Sequence, residues 1–270
     1  MALGLPWVSA YGQLDVRLES ARATFLQYAP IPVTVCVKNI GGDEVRLRST
    51  PERSWMDFFV KTHDGFSVQR QKPLQAEDQT LKPGQSLRLE VDLAPHFLIR
   101  DPGAYRIQLC VHGPTGEPWL TEPLELAAAR GETVWSRERG HQEERRIFSL
   151  VRFFEGPGLG LYLLVDLPAQ PTVFPARRLG SFVPMSRPAG EFDAKNHLHL
   201  IFPIGSGQHR IVVVNEDGEV LRQETRQEAP LAPTLRLTPE GQVAVEGGVV
   251  ILPGNLRERL SYLQSRLGGG

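Results

Sequence analysis

The feature that most constrains this chain is its punctuation. Short runs rich in Val, Ile, Leu and aromatic residues alternate with polar residues, and Gly, Pro and Asp-Gly turns break them at short intervals. Alternation with a period of two puts successive side chains on opposite faces of a strand, so the chain reads as nearly all β. The 26 Gly and 22 Pro are spread along the chain rather than clustered, which suits many turns and not a low-complexity linker.

The first half divides into strands at Leu14 to Leu18, Ile31 to Lys38, Glu44 to Arg48, Met56 to Lys61, Phe66 to Gln69, Ser86 to Leu93, Tyr105 to Val111 and Trp119 to Leu126. His63-Asp64-Gly65 between two of them is a hairpin signal, because Asp-Gly tolerates positive φ. Seven or eight short antiparallel strands in about 115 residues is the count of an immunoglobulin-type β-sandwich. Asn39 ending a strand, the aromatic strand Trp55-Met56-Asp57-Phe58-Phe59-Val60, its Asp64-Gly65 hairpin and the Leu81-Lys82-Pro83-Gly84-Gln85-Ser86-Leu87 turn follow one another in an order that resembles the BsuPI-type intracellular proteinase inhibitor domain. Pro102-Gly103 ahead of Tyr105 is similar to macroglobulin-like domains as well. The resemblance covers roughly residues 13–127 and implies an immunoglobulin-like sandwich and, as one function, proteinase inhibition. An inhibitor would present a rigid loop, and Arg70-Gln71-Lys72-Pro73 is the candidate.

The second half carries a weak internal repeat. Phe148 to Phe154, Gly158 to Asp166 and Val173 to Leu179 form one three-strand unit, and His197 to Phe202, His209 to Val214 and Glu219 to Glu224 form another. A third unit starts at Leu235-Arg236-Leu237 and Val243-Ala244-Val245. The period resembles the blade meanders of β-propellers, but about two and a half blades cannot close a ring that typically needs about four or more. A compact meander or a second sandwich is expected instead. Residues 130–146 are charged with both signs and read as a connection, the other reading being a final exposed strand that carries Trp135. After Pro253-Gly254, a capping Asn255 with Glu258 three residues on, and Leu256, Leu260, Leu263 and Leu267 on one stripe, predict a short C-terminal helix. The expected fold is therefore all-β: an immunoglobulin-like β-sandwich over 13–128, a connection over 129–146, an antiparallel β-meander domain over 147–252, and a short C-terminal helix with a Gly tail over 253–270.

Residues 1–12 read as a truncated export signal. Their apolar run ends in small residues, with Val8 and Ala10 at the −3 and −1 positions of a cleavage site, though the basic leading region is missing. The expected location is periplasmic or extracellular, with the cytoplasm as the alternative. Lys and Arg number 30 against 31 Asp and Glu, so the chain lacks the basic excess of a nucleic-acid grip. No apolar run approaches the roughly 20 residues that cross a bilayer, so no transmembrane segment is expected.

Candidate chemistry is sparse, and no cofactor is expected. His197 and His199 share one face of a strand and could share a Zn²⁺ if Asp193 or His209 supplied a third ligand; the other reading is a solvated polar face. Cys36 and Cys110 fall opposite the apolar faces of their strands, which favours free thiols, and His112 would share the face of Cys110. There is no Gly-x-Ser-x-Gly elbow and no phosphate loop, and Gly156 to Gly160 reads as a turn. Trp55, Trp119 and Trp135 are the aromatics that could anchor an interface, with Trp55 the most core-like and Trp119 the best surface candidate; a glycan is the other ligand such rings serve. The expected function is a non-enzymatic exported bacterial binding or assembly module, with a protein partner or self-association through Trp119 or the Leu256, Leu260, Leu263 and Leu267 stripe. The alternatives are a proteinase inhibitor and a metal-dependent enzyme using His197 and His199.

Overall fold

A computed structural model describes residues 14–113, 117–141, 144–169 and 174–252. The fold is all-β, and no α-helix occurs among the described residues. The chain divides into two compact units, Met1–Ala129 and Arg130–Gly270. The export signal expected at 1–12 and the C-terminal helix expected over 253–270, with its stripe of Leu256, Leu260, Leu263 and Leu267, lie outside the described residues.

The first unit contains β1 (Leu14–Glu19), β2 (Thr24–Leu26), β3 (Pro32–Asn39), β4 (Val45–Leu47), β5 (Met56–Thr62), β6 (Gln79–Leu81), β7 (Ser86–Asp92), β8 (Gly103–His112), β9 (Pro118–Leu120) and β10 (Leu124–Ala129). One sheet runs β1-β3-β7, a second β2-β10-β8-β5 with β9 beside β8, and β4 pairs with β6; among the described strands only β10 and β2 pair in parallel. Strand β3 shows how alternation builds the sandwich. Val33, Val35 and Val37 turn inward, and Thr34, Cys36 and Lys38 turn outward. Across the core they meet Phe58, Ile107 and Leu109 of the second sheet. Each such side chain, fully buried, contributes about 1.5–3 kcal/mol.

Polar groups buried in this unit bond to backbone. The Trp55 ring, 1% exposed, donates its Nε1–H to the Glu77 carbonyl at 2.8 Å. Asn39 is fully buried; its amide donates to the carbonyls of Leu81 at 2.9 Å and Asp43 at 2.7 Å, which ties β3 to β6. The Tyr105 hydroxyl donates to the Asp101 carbonyl at 2.6 Å, a bond back to the chain just upstream that matches the tyrosine corner of immunoglobulin-type sandwiches.

The second unit is two meanders face to face. Strands β11 (Glu132–Arg139), β12 (Arg146–Phe154), β13 (Leu159–Asp166) and β14 (Arg177–Ser181) pair antiparallel in chain order. So do β15 (Ala189–Phe192), β16 (Leu198–Gly205), β17 (Gln208–Val214) and β18 (Val220–Gln227). The hairpin β19 (Thr234–Leu237) and β20 (Val243–Glu246) follows, and β21 (Val249–Ile251) returns to pair with the end of β18. Phe148, Leu150 and Leu163 of the first meander pack on Leu200, Phe202 and Val212 of the second. Phe148 and Phe192 meet edge to face, with centroids 5.2 Å apart.

Three sequence expectations change. Most of the expected connection 129–146 is strand β11, paired with β12 along its length. Its alternating charges made it look like a linker because it is an edge strand, and Arg152 and Arg145 engage its Glu132 and Glu138 at 2.6 Å each. The expected strand Trp119 to Leu126 is split at Thr121, whose hydroxyl accepts the Leu109 N–H at 3.1 Å in place of the regular ladder. Phe66 to Gln69 makes one bridge to β5, Lys61 with Ser67, and then turns toward Phe97.

Candidate functional site

The register of the second meander decides which of its side chains meet. His199 lies opposite Val213 and Val213 opposite Arg222; Ile201 lies opposite Ile211 and Ile211 opposite Glu224; Pro203 lies opposite His209 and His209 opposite Arg226. These rows occupy the face turned away from the unit's main core. The β19–β20 hairpin packs on this face. It is held where Arg226 Nη1 donates to the carbonyls of Val245 at 3.3 Å and Gly247 at 2.9 Å, and where the Ala194 N–H donates to the Gly241 carbonyl at 2.7 Å.

At one end of the face the Asp193 carboxylate organises the two histidines singled out in the sequence. Its Oδ1 accepts the backbone N–H groups of Lys195 at 2.9 Å and His197 at 2.8 Å. Its Oδ2 lies 3.1 Å from His199 Nε2 and 3.3 Å from His197 Nδ1. Burial pushes the His199 imidazole below its ordinary value, and neighbouring Arg222 and His197 add to that, against the pull of Asp193. His199 is therefore neutral at pH 7 and donates a hydrogen bond rather than forming an ion pair. For Asp193, burial acts to raise the carboxyl, but the bonds from His199 and the His197 amide, with the imidazole charges, outweigh it and hold the group below its ordinary value. Asp193 thus joins the pair as the sequence spacing suggested. His209 sits opposite Pro203, further along β16, and faces a different cleft. Among the described residues, no group of three or more His, Cys, Asp and Glu side chains could hold a metal ion.

The buried centre of the face is Glu224, whose side chain is closed to solvent. Arg226 Nε donates to its Oε1 at 2.8 Å and Arg222 Nη2 to its Oε2 at 3.3 Å. Sequence reading missed this group. The signal was present as Arg222-Gln223-Glu224-Thr225-Arg226, which on a strand puts two cations and a carboxylate on one face. Two polar atoms of the face, Arg222 Nε and His209 Nδ1, are buried without a hydrogen-bond partner.

The first unit's candidate pair is inert by contrast. Cys110 is 3% exposed, so its face is covered rather than polar, and both cysteines are free. Its Sγ lies 3.5 Å from His112 Nε2, and Arg53 also contacts the His112 ring. Burial raises the thiol, with Arg53 opposing; burial and then Arg53 lower the imidazole. A neutral thiol beside a neutral imidazole is the reverse of an activated nucleophile. Trp119 is half-buried against the first core, its ring filling the space a side chain at Gly113 would need. Trp135 is half-buried against the second core and lies over Gly190, where any Cβ would come within 2.6 Å of the ring.

No protein-family model matches the chain. No curated protein matches it. Among solved structures, the crystal structure of the E. coli chaperone DraB aligns at a TM-score of 0.23 and 10% identity, over 78% of this chain and 96% of that one.

Proposed function

We propose that the chain is a non-enzymatic exported bacterial β-protein, a binding or assembly module of the envelope or the extracellular space. The observation that carries this reading is large apolar side chains left in water beside sheet edges. Phe59 on edge strand β5 and Phe66 at its hairpin are exposed, Phe66 by 73%. On edge strand β21, Val249 is 58% exposed and Ile251 is exposed beside it. Among the described residues β21 has no strand on its outer side, and a strand edge flanked by apolar side chains is a surface onto which another chain adds, whereas the outer side of β5 is taken at Val60 and Thr62 by Phe66 to Val68. The neutral state of the Cys110–His112 pair and the self-contained Asp193 cluster support a role without catalysis. Export rests on the apolar segment 2–10 and its small-residue end. Light scattering of the full chain across a concentration series, alone and with Phe66→Lys and Ile251→Lys, tests the reading. Association that either charge weakens supports it, and a monomer that captures nothing on its edges overturns it.

A second reading, proteinase inhibition, has one specific support. Arg70 to Pro73 is exposed and braced from behind. The Gln71 N–H donates to the His96 carbonyl at 2.9 Å, the Leu98 N–H to the Gln69 carbonyl at 2.9 Å, and the Arg70 guanidinium lies over Phe97 while bonding to Asp57. Arg70 is thereby committed inward, and Lys72 is the side chain left to enter a specificity pocket. Titration of trypsin-like and other serine and cysteine proteases at micromolar protein tests this; no inhibition removes it.

A further inference from the structure

The cleft between strand β15 and the β19–β20 hairpin has a volume of about 360 Å³. Its floor is apolar, made by the side chains of Ile201 and Pro203 on either side of the Phe202 backbone, with Pro233 and Leu235 on the hairpin side. All but Leu235 are buried. Its polar groups are few and not interchangeable. Glu191 is already engaged, accepting from Arg137 Nη1 at 2.9 Å. Arg187 is exposed on the rim and, among the described residues, pairs with no carboxylate. His209 lines the cleft and has a buried Nδ1 without a hydrogen-bond partner. A buried polar atom left unsatisfied beside a cavity marks a place where a missing partner belongs.

The surroundings separate a protein ligand from a small one. Met185 is 68% exposed and Leu231 is 71% exposed. They adjoin the lining residues Ser186 and Ala232, so the apolar surface continues past both lips of the cleft. A small enclosed ligand would leave these side chains in water; a polypeptide segment lying across the cleft covers them. A concave apolar pocket with a lone cation on its rim is the form of an interface anchor site.

We infer that this cleft is where the protein takes an apolar anchor side chain of a partner protein, with an acidic residue of the same segment set against Arg187. This rests on the binding-module reading and gives it a location and a partner chemistry. The anchor fills the floor over Ile201 and Pro203. The His209 Nδ1 is left for a main-chain group of the segment, and Met185 and Leu231 close over its flanks.

The test uses the full chain and dye-labelled hexapeptides, capped at both ends, with a phenylalanine beside an aspartate in a glycine–serine background. Companion peptides carry alanine for the phenylalanine, or lysine for the aspartate. In fluorescence polarisation the parent peptide binds, and the alanine peptide is weaker by about tenfold or more, the effect of one lost buried side chain. Arg187→Glu, at an exposed position, reverses the preference from the aspartate to the lysine peptide. Ala189→Phe, on the exposed edge strand, fills the cleft and abolishes binding of both. Three results overturn the inference in distinguishable ways. Peptide binding that survives both variants leaves the protein a binding module but puts the site elsewhere. No peptide binding, together with self-association that Arg187→Glu weakens in light scattering, assigns the cleft to a second copy of this chain. No peptide binding and no association of any kind removes both the inference and the reading beneath it.

Discussion

The two units bury polar groups in opposite ways. In the first, buried polar side chains are neutral and bond to backbone: Asn39 to Leu81 and Asp43, Trp55 to Glu77, Tyr105 to Asp101. Each donor meets a fixed carbonyl, and the result is a framework with little left over. In the second, the buried groups are charged or titratable and bond to one another: Glu224 with Arg222 and Arg226, Asp193 with His199. All the buried side-chain atoms left without a partner among the described residues, Arg146 Nε, His209 Nδ1 and Arg222 Nε, belong to this unit. Side-chain to side-chain networks have more valences than they can satisfy internally, and the surplus is where a ligand or a change of pH acts.

The largest effect that tests this contrast is in the first unit. Trp55→Ala removes a fully buried ring and its bond to Glu77, and a cost of about 4 kcal/mol is expected. Hydrogen exchange read by mass spectrometry localises the damage: protection falls in the strands around the first core and is unchanged in β12 to β18. Loss in both units together would mean they do not unfold as separate frameworks. Next comes Glu224→Gln. It keeps the shape but leaves Arg222 and Arg226 facing a neutral amide inside the protein, at an expected cost of about 3 kcal/mol. Exchange should rise in β17 and β18. If the variant is instead as stable as the parent, the charged cluster contributes nothing net, and the contrast between the units is one of appearance only.

How much of this was legible in sequence follows from the same physics. Alternation in Val33-Thr34-Val35-Cys36-Val37 and in Leu198-His199-Leu200 announces strands with one buried face, because the apolar period is unbroken. The Asp193, His197 and His199 grouping was legible too, since a turn and a period of two bring the three together. Strand β11 was legible only as the alternative to a connection: an edge strand carries charges on its open side, and Glu132 to Arg139 has the composition of a linker. Glu224 was missed because a buried carboxylate looks like any surface one until its strand is known to lie under the hairpin. Nor could Trp119 and Trp135 be placed, because each packs over a glycine, Gly113 and Gly190, that sequence reads only as a turn or a weak strand position. The cleft beside β15 is assembled from four separated stretches of chain, and no local pattern records it.

A smaller effect compares the titratable groups directly. His199 in the second unit and His112 in the first are both held below the ordinary value of 6.5, in each case first by burial. Between that lowered value and 6.5 the unfolded chain binds more protons than the folded one, so stability rises with pH through this window and is lost as pH falls below about 6.5. Asp193 is also held low, so its contribution is present above 3.8 and is lost as pH falls further. Urea unfolding at pH 7.5 and pH 5 should show a loss at the lower pH. His199→Gln should shrink that loss more than His112→Gln does, because the His199 ring is the more deeply buried of the two. Equal effects would mean that depth of burial does not set the response, the pull of Asp193 on His199 offsetting the deeper burial of its ring.

The smallest effect concerns Asp166 on β13, whose carboxyl burial pushes above its ordinary value. The sign is opposite to that of Asp193. Above its ordinary value of 3.8 the unfolded chain has already released the proton while the folded chain still holds part of it, so the stability from this group falls as pH rises through that window. At neutral pH the carboxylate is a partly desolvated charge, and Asp166→Asn removes the charge while keeping the size. A rise in melting temperature of about 1–2 °C at pH 7 is expected, shrinking toward zero at pH 3, where the carboxyl is protonated in both states. A loss of stability at pH 7 would show that the charged form is supported where Asp193 is, by hydrogen bonds, and that the second unit compensates even its most exposed-looking buried charge.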